Sequence, residues 1–181
     1  MKKMFLVLAW LAIVSVACAQ QTRVEITTAT NISDSKPNSD AVPDVYAITG
    51  QFKSVMVLRF KYQTDLLTGL EAMVKKYNIR NAVILSGIGS VRGYHVHAVS
   101  NRTFPSKDTF SQDPSAPADL ISMNGYVING RVHAHITLAN PDKAFGGHLE
   151  SGTEVFTFAA VTIGVMDDNT DLNHIDDKHY R

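Results

Sequence analysis

In 181 residues, 17 Lys and Arg balance 17 Asp and Glu, so the chain carries no surplus of cations with which to neutralise a phosphate backbone. The single cysteine, Cys18, excludes an intramolecular disulfide. Beyond the N-terminal stretch no segment approaches twenty consecutive apolar residues, which excludes a later membrane-spanning helix.

Residues 1–19 read as a signal peptide. Lys2 and Lys3 form a positive start, Phe5 to Val16 an apolar stretch, and Ala17-Cys18-Ala19 a small-x-small cleavage site. An exported protein is expected, periplasmic in a bacterium. Two outcomes stay open at Cys18: cleavage after Ala19 removes it, and lipoprotein processing before it makes it a lipid anchor and the chain's one membrane attachment. Residues 20–43 are polar and form a flexible linker or tether. Without Lys2 and Lys3, 17 − 2 = 15 basic residues face 17 acidic ones.

The domain is expected over residues 44–166. Ser54 to Lys61 is apolar and β-prone. Asp65 or Thr64 can cap a helix running to Tyr77, with Leu66, Leu70, Met73, Val74 and Tyr77 at helical spacing and Lys75 and Lys76 at its end. Ala82 to Leu85 reads as a buried strand stopped by a tight turn at Ser86-Gly87-Ile88-Gly89. Tyr94 to Val99 reads as another strand, and the proline-containing stretch Asn101 to Ala118 as a loop. Leu120 to Met123 and Tyr126 to Ile128 are two short strands. Asn129-Gly130 is a strong hairpin signal and leads into a strand from Arg131 to Leu138. The last strand is Glu154 to Val165, and residues 167–181 form an acidic tail expected to be flexible and solvated. One helix against six or seven strands joined by hairpins predicts an α+β fold, a single domain with a central, mostly antiparallel sheet.

The chemistry concentrates in Arg131-Val132-His133-Ala134-His135 and Gly146-Gly147-His148. Residues two apart on a strand share a face, so His133 and His135 present two imidazoles side by side. The other face, with Val132, Ala134, Ile136 and Leu138, is apolar. The loop from Ala139 to Phe145 can return the chain so that His148 joins them, and the glycine pair permits close backbone approach. Three neutral imidazoles suit Zn²⁺ or another divalent transition metal and leave a fourth position open. Arg131 shares the histidine face and is a candidate for holding a substrate carboxylate. Glu150 is a candidate general base or partner of a histidine, as are Glu154 and Asp142. His95 and His97 form a second same-face pair, which can extend the first site, make another or be an exposed strand face.

These stretches resemble the plants-and-prokaryotes conserved (PPC) domain, which accompanies AT-hook motifs in plants. The matching segments are Val57 to Phe60, the helix from Asp65, Ala82 to Ser90 and Leu120 to Gly125. The most specific are Gly130 to His135 and Gly146 to Gly152. The resemblance spans about Tyr46 to Val165 and implies a compact α+β unit assembled as a homotrimer, with the metal on His133, His135 and His148. The wider fold group resembles α-acetolactate decarboxylase and a zinc-dependent ester hydrolase, which implies a lyase or hydrolase acting on a small carboxylate or ester. One departure stands against catalysis: where bacterial members often carry a glutamate in the last strand, this chain has Ala160. The family also brings a DNA-binding label, which the neutral charge, the lack of an Arg-Gly-Arg-Pro hook and the expected export oppose.

Overall fold

The structure, a computed structural model, describes residues 38–102 and 104–181. The signal peptide, Cys18 and residues 20–37 of the linker lie outside the described residues. Among the described residues no helix is long and apolar enough to cross a membrane.

In β1, Phe52–Lys61, alternation places Met56, Leu58 and Phe60 inward, and Leu58 and Phe60 are buried. Among the described residues there is one helix, α1, Leu66–Lys76. Asp65 caps it: its Oδ1 accepts the Thr68 N–H at 2.8 Å, while its Oδ2 accepts the Gly152 N–H at 2.6 Å. One carboxylate thus starts the helix and fastens it to the turn before the last strand. Leu66, Leu70 and Val74 are buried beneath α1, which packs on β1 and on the histidine strand. Each such leucine contributes about 1.5–3 kcal/mol by leaving water.

The remaining strands are β2 (Ala82–Val99), β3 (Asp108–Asp113), β4 (Ala118–Ile128), β5 (Arg131–Ala139), β6 (Ala144–Leu149) and β7 (Glu154–Met166). All seven join one antiparallel sheet in the order β1-β7-β2-β4-β5-β6, with β3 paired to β2. The long β2 changes partners along its length. Its first half pairs with β4 on one side and β7 on the other; its second half pairs with β3 and, through Val96↔Leu149 and His97↔His148, with β6. The pairings β2–β4–β5–β6–β2 therefore close a ring.

This corrects three sequence expectations. Ser86 to Gly89 does not stop the strand: the register shifts between Ile84 and Ser86 and between Gly89 and Val91, so the segment bulges and continues. The expected loop from Asn101 to Ala118 contains β3, a polar strand whose pattern carries no apolar alternation. The two short strands around Asn124 are one strand, β4. The Asn129-Gly130 hairpin forms as expected, with both residues at positive φ (49° and 80°).

The tail has buried anchors, contrary to the expectation of a solvated segment. Thr170 and Leu172 are buried. The buried Asn81 donates its amide N–H to the Thr170 carbonyl at 2.7 Å, and its Oδ1 accepts the Asn129 N–H at 3.0 Å. One buried amide thus ties the tail to the β4–β5 hairpin, and the Asn129 side chain adds a bond to Asn173.

Candidate metal centre

Strand register assembles the site. His135 lies opposite His148 across β5 and β6, and His148 lies opposite His97 across β6 and β2. Directly opposed residues share a face. His97, His148 and His135 thus form one row, which Phe110 of β3 extends at one end and Asn124 of β4 at the other. His133, two residues before His135, stands on the same face opposite Tyr126. His148 is itself a strand residue, in β6. A Cβ on Gly147 would stand 2.3 Å from the His97 carbonyl oxygen, so glycine is what lets β6 approach β2 here.

His133, His135 and His148 each offer a ring nitrogen, and these lie within 4.8 Å of one another. Ring centroids are 5.5 Å apart for His133–His135, 4.7 Å for His133–His148 and 5.2 Å for His135–His148. Tetrahedral zinc with bonds of about 2.0–2.1 Å needs nitrogens about 3.4 Å apart, a contraction within reach of side-chain rotation. The donor set therefore fits a borderline divalent metal.

Electrostatics favour neutral ligands. Burial, followed by the neighbouring His133, His97 and His135, pushes His148 down to about 4, with Glu150 opposing. Burial, then His133 and His97, lowers His135 as well. Both imidazoles are unprotonated at neutral pH and available to a metal.

Second contacts fix the rings. Asp176 Oδ2 accepts from His133 Nδ1 at 3.0 Å and from Arg131 Nη2 at 2.6 Å. Burial raises the Asp176 carboxyl, but the hydrogen bonds and charges of His133 and Arg131 together outweigh it and the pKa is lowered. An ionised carboxylate only accepts, so His133 carries its proton on Nδ1 and turns Nε2 to the cluster. Arg131 is thereby engaged by Asp176 through one of its nitrogens. Glu150 Oε1 accepts from His97 Nδ1 at 2.6 Å, and the His97 ring stacks on His148 with centroids 4.6 Å apart. Glu150 is thus the partner of a histidine, but of His97 and not of one of the three. His95 takes no part: its Nδ1 bonds the Ser151 carbonyl at 2.8 Å. The His95–His97 pair is accordingly split, with one member beside the cluster and the other held by a turn. Glu154 pairs with Arg92 at 3.3 Å, and Asp142 lies in a turn organised by Asn140. Ala160 sits between Arg59 and Ile88, in a row that includes none of the histidines.

A cleft of about 640 Å³ opens onto His133 and His135. Its walls come from the end of β2, the segment after it, Asn124 to Tyr126 of β4, and Ile175 to Lys178 of the tail.

Among solved structures, the metal-containing protein AF0104 of Archaeoglobus fulgidus matches with a TM-score of 0.57 at 23% identity, covering 68% of this chain and 86% of that one. A plant- and prokaryote-conserved protein of Pyrococcus horikoshii matches with 0.53 at 25% identity, covering 70% and 85%. A Bacteroides thetaiotaomicron protein that carries a provisional DNA-binding name matches with 0.52 at 19% identity, covering 66% and 83%. A comparison with curated proteins finds no match. The model of the Plants and Prokaryotes Conserved (PCC) domain matches residues 47–167, and the chain belongs to that family.

Proposed function

We propose that this protein is an exported module that binds one divalent transition metal, zinc by ligand type, through His133, His135 and His148, and that it assembles as a homotrimer. The observation that carries the reading is the convergence of three ring nitrogens within 4.8 Å on one strand face. Asp176 behind His133 supports it, because metal-bound histidines almost always donate their other ring N–H to a carboxylate, carbonyl or water. The similarity to a protein described as metal-containing agrees. Export rests on the character of residues 1–19. Assembly is supported by the exposed cluster of Ile88, Ile121, Phe156 and Phe158 on the outer sheet face, since patches of this kind mark interaction sites.

A second reading, a lyase or hydrolase acting on a small carboxylate or ester, is favoured by one observation: two of the three histidines line a cleft. A metal there would supply Lewis-acid chemistry. DNA binding is disfavoured by the equal numbers of basic and acidic residues.

Elemental analysis of the purified protein, beside a His133→Ala/His135→Ala variant, tests the metal reading. About one zinc per chain, lost in the variant, is expected. No metal in the wild type after incubation with zinc would overturn it.

A further inference from the structure

One wall of the cleft over the histidines is the tail, and the tail meets the histidine cluster through a carboxylate. Beyond the buried Thr170 and Leu172, residues 173–181 form no strand or helix. The amides of Ile175, Asp177 and Tyr180 donate to the carbonyls of Leu172, His174 and Asp177. These turns close within the tail and do not themselves fasten it to the sheet. Ile175, Asp176 and Lys178 line the cleft. Asp176 Oδ2 accepts from Arg131 and His133, both on β5. Asn173 bonds Asn129, the Tyr180 ring meets Tyr46, and Arg181 lies over Phe104 with its carbonyl accepting the Ser39 N–H at 3.0 Å. Those contacts run to the β4–β5 hairpin and to segments outside the strands, and none of them touches the three histidines.

We infer that residues 173–181 are a strap whose closure over the cleft is coupled to metal at His133, His135 and His148. The inference rests on the metal reading and supplies that centre with a regulator. Closing the strap sets the Asp176 carboxylate against His133 Nδ1, which turns Nε2 to the cluster and raises its basicity. Losing such a partner costs about 10–100-fold in metal affinity. Coupling between two binding events is reciprocal. If the closed strap strengthens metal binding by that factor, bound metal favours the closed strap by the same factor. Without metal, the bond joins Asp176 to an imidazole whose side chain is 31% exposed, and solvent screens it. A segment without strand or helix and with few buried apolar contacts is of the kind that opens locally. Loss of the metal thus raises the open fraction of the strap by about 10–100-fold. The cleft of about 640 Å³ keeps its tail wall chiefly when the centre is loaded, so a ligand that needs this wall prefers the loaded protein.

Hydrogen exchange of the purified protein, metal-free and incubated with zinc, tests it, with zinc content measured on the same samples. The Ile175, Asp177 and Tyr180 amides should exchange about tenfold or more slowly in the loaded protein, because exchange follows the open fraction of the strap. In an Asp176→Asn variant saturated with zinc, the slowing should fall to about threefold or less. A wild type that holds zinc while its tail exchanges as fast as in the metal-free protein overturns the inference. Equal slowing in wild type and variant also overturns it, since the coupling would then bypass Asp176. The wild-type pair decides alone if the variant does not fold. A protein that takes up no zinc defeats the metal reading and the strap with it, and the zinc content distinguishes that case from a loaded centre with an indifferent tail.

Discussion

Replacing Asp176 with asparagine keeps the side chain's size and one acceptor oxygen but removes its charge. Asp176 is the least exposed member of its network, with 12% of its side chain accessible. It accepts from His133 Nδ1 at 3.0 Å and from Arg131 Nη2 at 2.6 Å. The His133 bond fixes the tautomer that points Nε2 toward His135 and His148, and it raises the basicity of that nitrogen. Losing such an outer partner costs about 10–100-fold in metal affinity. At 1.4 kcal/mol per tenfold, that is about 1.4–2.8 kcal/mol. The Arg131 bond should contribute much less, because 63% of the Arg131 side chain is accessible and solvent screens the pair. Zinc competition against a chromophoric chelator should therefore show Asp176→Asn weakened by one to two orders of magnitude and Arg131→Gln by no more than about threefold. Melting curves of the metal-free proteins check that both variants fold. A folded Asp176→Asn variant with wild-type zinc affinity would refute the assignment of Asp176 as the carboxylate that orients His133.

Acidity should act on the metal-free fold through His148. Its pKa is lowered to about 4 in the folded chain against about 6.5 when unfolded, so the unfolded state takes up the proton first. The stability it lends is complete above about 6.5 and drains away as pH falls toward 4, and urea unfolding at pH 7 and pH 4.5 should show the loss. A metal-free protein equally stable at both would contradict the burial of that ring. Gly147→Ala drives a Cβ to 2.3 Å from the His97 carbonyl oxygen and should push β6 off β2. A cost of about 1–3 kcal/mol, read as a lowered melting temperature together with weaker zinc binding, is expected; an unchanged melting temperature counts against the close packing. Phe158→Lys places a charge in the exposed cluster with Ile88, Ile121 and Phe156. Light scattering should then report monomer where the wild type reports trimer, and an intact trimer would clear this face of a role in assembly.

The residues that hold the metal and the residues that tune it differ in how far the sequence reveals them. His133 and His135 are legible because strand alternation is a two-residue rule, and their shared face follows from it alone. His148 is legible as to kind, through the glycine pair, but not as to element: Ala144 to Leu149 has no apolar alternation, and only pairing with β5 makes it a strand. The glycines at 87 and 89 read as a stop because glycine punctuates turns and bulges alike, and what decides between them is the flanking pairing with β4 and β7. The helix was readable to within a residue, because its cap, its apolar spacing and its basic last turn agree.

Asp176 had no local signal at all. It lies 43 residues beyond His133, in a stretch whose composition suggests only solvation. What brings it home is a relay of polar contacts: Asn81 to Thr170, Asn129 to Asn173, then Asp176 to His133. None of these pairs is visible as a pattern, since each joins segments at least 43 residues apart. His97 follows the same logic. Its spacing from His95 leaves an extension of the first site, a second site and an exposed face all open, and the pairing of β2 with β6 decides by setting it against His148, while Glu150, one residue past the end of β6, fixes its ring. A three-histidine centre is thus written in local spacing, while its basicity, tautomers and approach are set by remote segments. Substitutions in the tail should accordingly change how tightly the centre holds zinc without removing any of its ligands.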